Sequence, residues 1–466
     1  MSIHMNRRSF IQTALAAGVF PLLPGCASSA RKYVANGKVR LAAIGCGCQA
    51  WNDLQALAKN KDICEVVALC DTDMGAKHTL GALKRFPKLP RFQDFRKMFD
   101  AMEDQIDAVL VGTPDHSHFC AAMHAMRLGK HVFVEKPLAH SFLECELLMK
   151  AEKEYGVVAQ MGNQGHSGDN YFQYRDYVKN GIIKDPVKIV AHMNMERRWH
   201  KWEGKTTGYP RAEKLPSTLD WECWLSSAPR HDYSKDLVVG EWRCWFDYGN
   251  GCMGDWGAHI LDTFHRFSLG GELPVEVSIE DLAGWNPFVF PMQDTLYMKF
   301  PKSANHAHDV TLEWREGLKN LPKLPKGFAY ADNKGLFPAS SANNNLAEPK
   351  LKPGKEIYLA DGTVWQGLSH SSTLRCCDGS KAPAFEKAKD DHYRNFLRAV
   401  KGECEAHSPF SVTAPLSQIF CLGVIAQRLG RGFKFDPAKG VAPGDEEVNR
   451  LLHGPAPRKG WEEYYS

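Results

Sequence analysis

No run of five like charges occurs in this 466-residue chain, and its formal net charge of +4 is small for that length. Without a basic stripe or a basic array interleaved with aromatic residues, nothing in it matches a nucleic-acid backbone. No internal repeat is present, which sets aside solenoids and propellers. Acidic residues are absent before Asp53, and that gap points to a leader rather than to a folded element.

The leader carries Asn6-Arg7-Arg8-Ser9-Phe10-Ile11-Gln12, then an apolar run to Leu23, followed by Pro24, Gly25 and Cys26. The run is too short to span a membrane, and with paired arginines ahead of it the segment reads as a twin-arginine export signal, with a tether completing residues 1–36. Cys26 ends a lipoprotein-like box and is a candidate lipid anchor. The expected location is periplasmic, free or membrane-anchored. Fourteen cysteines in an exported chain would ordinarily imply a disulfide framework. Here they are scattered singly through apolar segments, among them Cys64, Cys70, Cys120, Cys145 and Cys421, as packing residues are.

The composition, 44% hydrophobic and 24% charged, is that of a soluble globular protein of two or three domains with a small-molecule partner. Val39–Ile44 is a buried-strand run followed by Gly45-Cys46-Gly47-Cys48-Gln49-Ala50 and a helical pattern. G-x-G-x-x-A between a strand and a helix is the phosphate-binding turn of a dinucleotide site. Gly45 permits the turn, Gly47 lets the pyrophosphate approach and Ala50 lets helix and strand pack closely. The next strand ends at Asp71, where a carboxylate accepts from ribose hydroxyls and repels a 2′-phosphate, favouring NAD over NADP. Strands and helices then alternate to Met161, which predicts a right-handed, parallel, doubly wound sheet over 37–162. One of these strands, His131–Val134, runs into Glu135-Lys136-Pro137 and so delivers Lys136 at the mouth of the sheet.

After 162 the pattern changes. Longer, partly alternating strands near Val187–Met195, Val275–Leu282, Thr295–Phe300 and Asp309–Arg315 predict an α+β second domain over 163–466, built on a large, mostly antiparallel open sheet. A surface loop is expected between Pro322 and Pro353, a hairpin around Asp361-Gly362, and closing helices within 387–430, at Lys387–Lys401 and Thr413–Leu429. In this half, a glycine-rich lead-in, Gly249 to Gly254, precedes Asp255-Trp256-Gly257-Ala258-His259. Asp255, His259 and Asp262 fall on one helical face, away from the apolar face of Trp256, Ile260, Phe264 and Phe267. A carboxylate one turn from a histidine can orient it as a general base. The same pair also suits a solvated ion pair or part of a metal site, although no third ligand is fixed nearby.

Taken in order, G-x-G-x-x-A, the strand-end Asp71, Thr113-Pro114-Asp115-x-x-His118, Glu135-Lys136-Pro137 and Asp255-x-x-x-His259 resemble the Gfo/Idh/MocA oxidoreductases. The resemblance implies that Lys136 contacts the reacting oxygen, that His259 exchanges its proton and that Asp255 tunes His259. It implies that Thr113, Pro114, His118 and Glu135 stand against NAD together with the loop residues Gly45, Gly47, Gln49 and Ala50, with Asn163 close to the nicotinamide. It also implies a homo-oligomer. The tryptophan-rich segment Glu241 to Gly249 is similar to an exported, sugar-active branch. Trp199, Trp242 and Trp245 are candidates to stack on a pyranose, and Gln164, His166, Arg197 and Arg243 are candidates to hydrogen-bond it. No metal is expected. The expected activity is NAD-dependent oxidation of a secondary hydroxyl, C3 included, of a sugar or glycoside. A redox-neutral glycoside hydrolase or eliminase and a non-catalytic sugar-binding or sensor protein stand as alternatives. Because no soluble NAD pool is expected outside the cytoplasm, the cofactor is expected to stay bound and be recycled.

Overall fold

The computed structural model describes residues 37–194, 206–238, 240–323, 352–368 and 372–466. The export signal, the Cys26 anchor, Arg197, Trp199 and most of the 322–353 loop lie outside these residues.

Six parallel strands form the first sheet: β1 (Val39–Ile44), β2 (Cys64–Cys70), β3 (Arg91–Phe92), β4 (Ala108–Val111), β5 (His131–Val134) and β6 (Ala159–Met161), in the order β3-β2-β1-β4-β5-β6. β1, β4 and β5 are buried along nearly their whole length. Helices cover both faces of such a sheet, so its strands are uniformly apolar rather than alternating. The chain winds outward from β1 in one direction and from β4 in the other, so the switch point, where such sheets bind ligands, lies between the carboxyl ends of β1 and β4. The helix after β5 starts as the sequence dictates: Ser141 caps Phe142–Tyr155 in a capping box with Glu144, and Gly156 ends it in the left-handed region.

The second sheet has eight strands: β7 (Pro186–Met193), β8 (Glu276–Ala283), β9 (Gln293–Phe300), β10 (Val310–Glu316), β11 (Gly354–Leu359), β12 (Val364–Leu368), β13 (Arg375–Cys376) and β14 (Phe433–Lys434). Their order is β13-β12-β11-β7-β10-β9-β8-β14, antiparallel throughout except where β7 meets β10. The 20-residue helix Phe410–Leu429 packs on Phe142–Tyr155 of the first sheet's layer and on Gly251–Ile260 of the second's. Both sheets therefore share one core inside a single compact unit, Lys38–Ser466. That helix is long and apolar enough to cross a bilayer, but 83% of its apolar window is buried in the protein, as in a core helix.

Two helix starts differ from expectation. The 387 helix begins only at His392, because the Asp391 carboxylate accepts from the Tyr393 and Arg394 amides and caps it there. The 413 helix begins three residues earlier, at Phe410, after Pro409. The cysteines among the described residues are all free thiols.

Candidate active site

The G-x-G-x-x-A segment closes the switch point tightly. Gly45 has φ +91°, and a Cβ there would lie 2.6 Å from the Gly112 carbonyl oxygen. A Cβ on Gly112 would lie 2.4 Å from that of Ala50, so the small residues at both places set the approach of the first helix to β4. Gly47 precedes the helix Cys48–Ala58 without a side-chain cap, and no acid stands in the first turn. The orphan amides of that turn face the crevice and suit a pyrophosphate. At the end of β2 the Asp71 carboxylate accepts from the Cys46 amide at 2.9 Å and from the Asp73 amide at 3.1 Å. Thr113, Pro114, Gln49 and Glu135 line the same crevice.

The second half of the chain crosses over this crevice. Asp220 donates its amide to the Thr72 carbonyl at 2.8 Å, Asp73 and Leu219 form a β-bridge, and the Gln93 amide clasps the Thr72 and Thr218 carbonyls at 2.8 and 2.7 Å. Leu219, Trp224, Tyr233 and Trp242 complete the lining from this side.

At the inner end, Lys136 Nζ donates to Asp255 Oδ1 at 2.8 Å and to the Asp255 carbonyl at 3.1 Å. The Lys136–Pro137 peptide is cis. Arg243 Nε lies 3.6 Å from Asp255 Oδ1, and its guanidinium carbon sits 4.1 Å from the Trp242 ring centroid. Asp255 and His259 stand one turn apart on the helix Gly251–Ile260, both half-buried. The end of β5 thus delivers a cation to the phosphate-loop crevice, and it is held by a carboxylate one turn from His259 on a second-domain helix. Among the described residues, no cluster of three or more His, Cys, Asp or Glu is gathered to hold a metal ion.

Several candidates have other neighbours. His118 is enclosed, its ring nitrogens facing the Thr113 and Pro137 carbonyls at 2.8 and 2.9 Å; burial lowers its pKa to about 4, and the neutral ring donates to one of these two carbonyls. Asn163 and His166 are fully buried against Asp262, with the Asn163 amide 3.1 Å from Oδ2 and His166 Nδ1 2.7 Å from Oδ1. Asp262 stands just past Leu261, where one helix gives way to the next, so its carboxylate points to this cluster instead of sharing the Asp255 and His259 face. Gln164 spends its amide on Glu135 at 3.1 Å and on the Tyr393 hydroxyl at 3.2 Å. Trp245 is 0% exposed; its indole donates to the Asp236 carbonyl and its ring stacks on Tyr209, leaving no face for a ligand. Of the described substrate candidates, Trp242 and Arg243 reach the crevice.

Sequence reasoning missed three contributors. Lys355 of β11 is buried, donates to the Ile260 carbonyl at 2.7 Å and to Thr263 Oγ1 at 2.8 Å, and so pins the helix end next to His259. Burial lowers its pKa to about 8 against the pull of Asp262. Asp53 forms a buried carboxyl pair with the already expected Glu135 beside Lys136, each held above its usual range first by burial; Tyr393 donates to Asp53 at 2.7 Å. Asp115, buried and accepting the Asn250 amide at 3.0 Å, is raised by burial to about 7 despite Arg243 and Lys136.

A carboxyl whose folded pKa lies above its unfolded one binds its proton more tightly when folded, so Asp115 lowers stability as pH rises from the unfolded value through about 7. Asp115→Asn keeps an acceptor for Asn250 and removes this titration. Urea unfolding should find the variant more stable than the parent by on the order of 1–3 kcal/mol at alkaline pH, with the difference vanishing in acid. An unchanged gap between the two profiles across that window would refute the assignment.

The two halves match family models separately. A model described as "Oxidoreductase family, NAD-binding Rossmann fold" matches residues 39–163, and one described as "Oxidoreductase family, C-terminal alpha/beta domain" matches 170–286. Inositol 2-dehydrogenase of Salmonella typhimurium is 27% identical over 148 residues, 31% of this chain and 43% of that protein. A glycosyl hydrolase family 109 protein of Shewanella pealeana is 27% identical over 221 residues, 43% of this chain and 48% of that protein. The chain thus spans less than half the length of these curated relatives. The WlbA dehydrogenase of Bordetella pertussis, solved with NADH and UDP-GlcNAcA, shares the fold at a TM-score of 0.57 and 16% identity, covering 86% of this chain and 99% of that one.

Proposed function

The chain belongs to the Gfo/Idh/MocA oxidoreductases, whose Rossmann domain binds NAD, and from that premise we propose that it oxidises a secondary carbinol, C3 included, of a sugar or glycoside. The observation that carries this reading is Lys136, which lines the phosphate-loop crevice and is held at 2.8 Å by Asp255, one helical turn from His259. NAD supplies the hydride acceptor. His259 takes the hydroxyl proton as the carbinol C–H leaves with its electron pair, and Lys136 stabilises the oxygen while it carries negative charge. Asp255 holds the Lys136 ammonium in place. The Trp242 ring, with Arg243 over it, offers an apolar face and a donor set for a pyranose.

The cofactor residues in this reading are Gly45, Gly47, Gln49, Ala50, Asp71, Thr113, Pro114 and Glu135. The crossing segment near Thr218–Asp220, stapled by Gln93, favours a nucleotide that stays bound and is recycled. Such retention accords with export by the twin-arginine route, with or without a lipid at Cys26. The open eight-stranded sheet is the surface on which copies would pair. The match to a family 109 glycosyl hydrolase favours a second reading: redox-neutral cleavage, in which oxidation acidifies the neighbouring C–H, the aglycone is eliminated, water adds and the ketone is reduced again.

Purified protein incubated with a panel of glycosides tests both readings by mass spectrometry. Net oxidation yields a product lighter by one hydrogen molecule, with reduced nicotinamide absorbing on the enzyme. Redox-neutral cleavage yields free aglycone and no accumulated NADH. Protein purified without nucleotide, and weak in binding added NAD, would count heavily against both.

A further inference from the structure

His78 belongs to no motif, yet it lies where the cofactor's charge is decided. Its Nε2 is 3.5 Å from Asp71 Oδ1. Its ring rests on the phosphate loop: a Cβ built on Gly47 would meet His78 Cδ2 at 2.3 Å. Both His78 and Asp71 line the crevice, and the other cationic side chains lining it, Lys136 and Arg243, stand against Asp255 instead. Within the described lining, His78 is therefore the titratable cation placed at the carboxylate of the second strand.

Resting on the reading of this crevice as a dinucleotide site, we propose that His78 sets the choice between NAD and NADP: its cation neutralises Asp71 and admits a 2′-phosphate, and its neutral ring leaves Asp71 to repel one. Asp71 is placed to exclude NADP by like-charge repulsion and by offering no donor to a phosphate. An imidazolium against it cancels the repulsion and supplies a donor. The backbone reinforces the geometry, since the Cys46 and Asp73 amides hold both Asp71 oxygens and prevent the carboxylate from turning away from His78.

The groups facing His78 are Asp71, just past β2, and Asp73 from the turn that follows, with Cys48 of the loop helix lining the same crevice and the exposed Lys77 adjacent in the chain. The bond to Asp71 raises the imidazole above its usual pKa, outweighing burial, and Asp73 adds to the rise. The cation therefore persists to higher pH than in a free histidine, and discrimination against NADP strengthens only as pH rises beyond that point.

The test uses the full chain stripped of nucleotide, with NADH and NADPH titrated separately by protein-fluorescence quenching in buffer at about pH 7 and in alkaline buffer, both above the second pKa of about 6 of a phosphate monoester. The expected result is a ratio of NADPH to NADH dissociation constants that grows at least about fivefold from the lower pH to the higher. In His78→Gln the ratio is high and the same at both pH values; in Asp71→Asn it is low at both. A parent ratio that does not change with pH, or a His78→Gln ratio that still does, overturns the proposal and leaves the cofactor reading standing. If neither nucleotide binds at either pH, the cofactor reading falls as well.

Discussion

Lys136→Met loses turnover by on the order of 10²–10³-fold while still binding NAD. The side chain is 10% exposed and its ammonium sits 2.8 Å from Asp255, so it is fixed before any substrate arrives. A cation fixed in this way stabilises a developing oxyanion without reorganising in the transition state. Methionine matches the length of the aliphatic stem and removes the charge. Lys136→Arg should fail almost as badly, because a planar guanidinium in place of a compact ammonium must displace Asp255, with Arg243 already 3.6 Å from that carboxylate. His259→Asn should give a loss of similar size, and the double variant should be little worse than either single one, because the two residues act on the same oxygen. Steady-state kinetics beside nucleotide titrations separate the outcomes. Parent-like turnover in both single variants would overturn the catalytic assignment and favour a sugar-binding or sensing role. Loss of NAD affinity in Lys136→Met would instead place Lys136 on the cofactor.

The readable and unreadable parts of the site divide by the reach of the interactions. The phosphate turn, Asp71 and Lys136 each lie at the end of a strand whose apolar run is visible over a few residues, and a strand end in a doubly wound sheet has one place to go. Both sheets were legible for the same reason, through their periodicity. Lys355 was not, because it lies 95 residues from the helix end it holds, on a strand whose pattern reports burial and not the partner. Nor was the partner of His166: the helix periodicity that groups Asp262 with His259 takes no account of the change of helix at Leu261, after which the carboxylate meets Asn163 and His166. Pairing between residues about a hundred positions apart is settled by tertiary packing, which local pattern does not encode.

The two tryptophans of Glu241–Gly249 make that limit measurable. Trp242 lies within the short 3₁₀ turn Glu241–Cys244, and Trp245 follows with extended backbone, φ −103° and ψ 127°. Continued helical backbone would have set residues i and i+3 on one face; the extended residue turns Trp245 inward, where it bridges to Val289 and stacks on Tyr209 at 5.1 Å. Trp245→Ala should therefore cost about 3–5 kcal/mol of stability, from lost burial and the cavity left behind, and also free the Asp236 carbonyl of its indole donor. Its KM should stay near that of the parent where the protein remains folded. Trp242→Ala should differ in its effect on substrate: the residue is also buried, at 7% exposure, so stability falls as well, but unlike Trp245 it lines the crevice, and KM for the sugar rises about tenfold from loss of a stacking surface worth roughly 1 kcal/mol or more. Trp242→Phe should recover part of that affinity. Urea midpoints and KM values measured on the same preparations decide the matter. If Trp245→Ala raises KM without loss of stability, that indole belongs to the sugar site after all, and the turn at Cys244 does not separate the two rings.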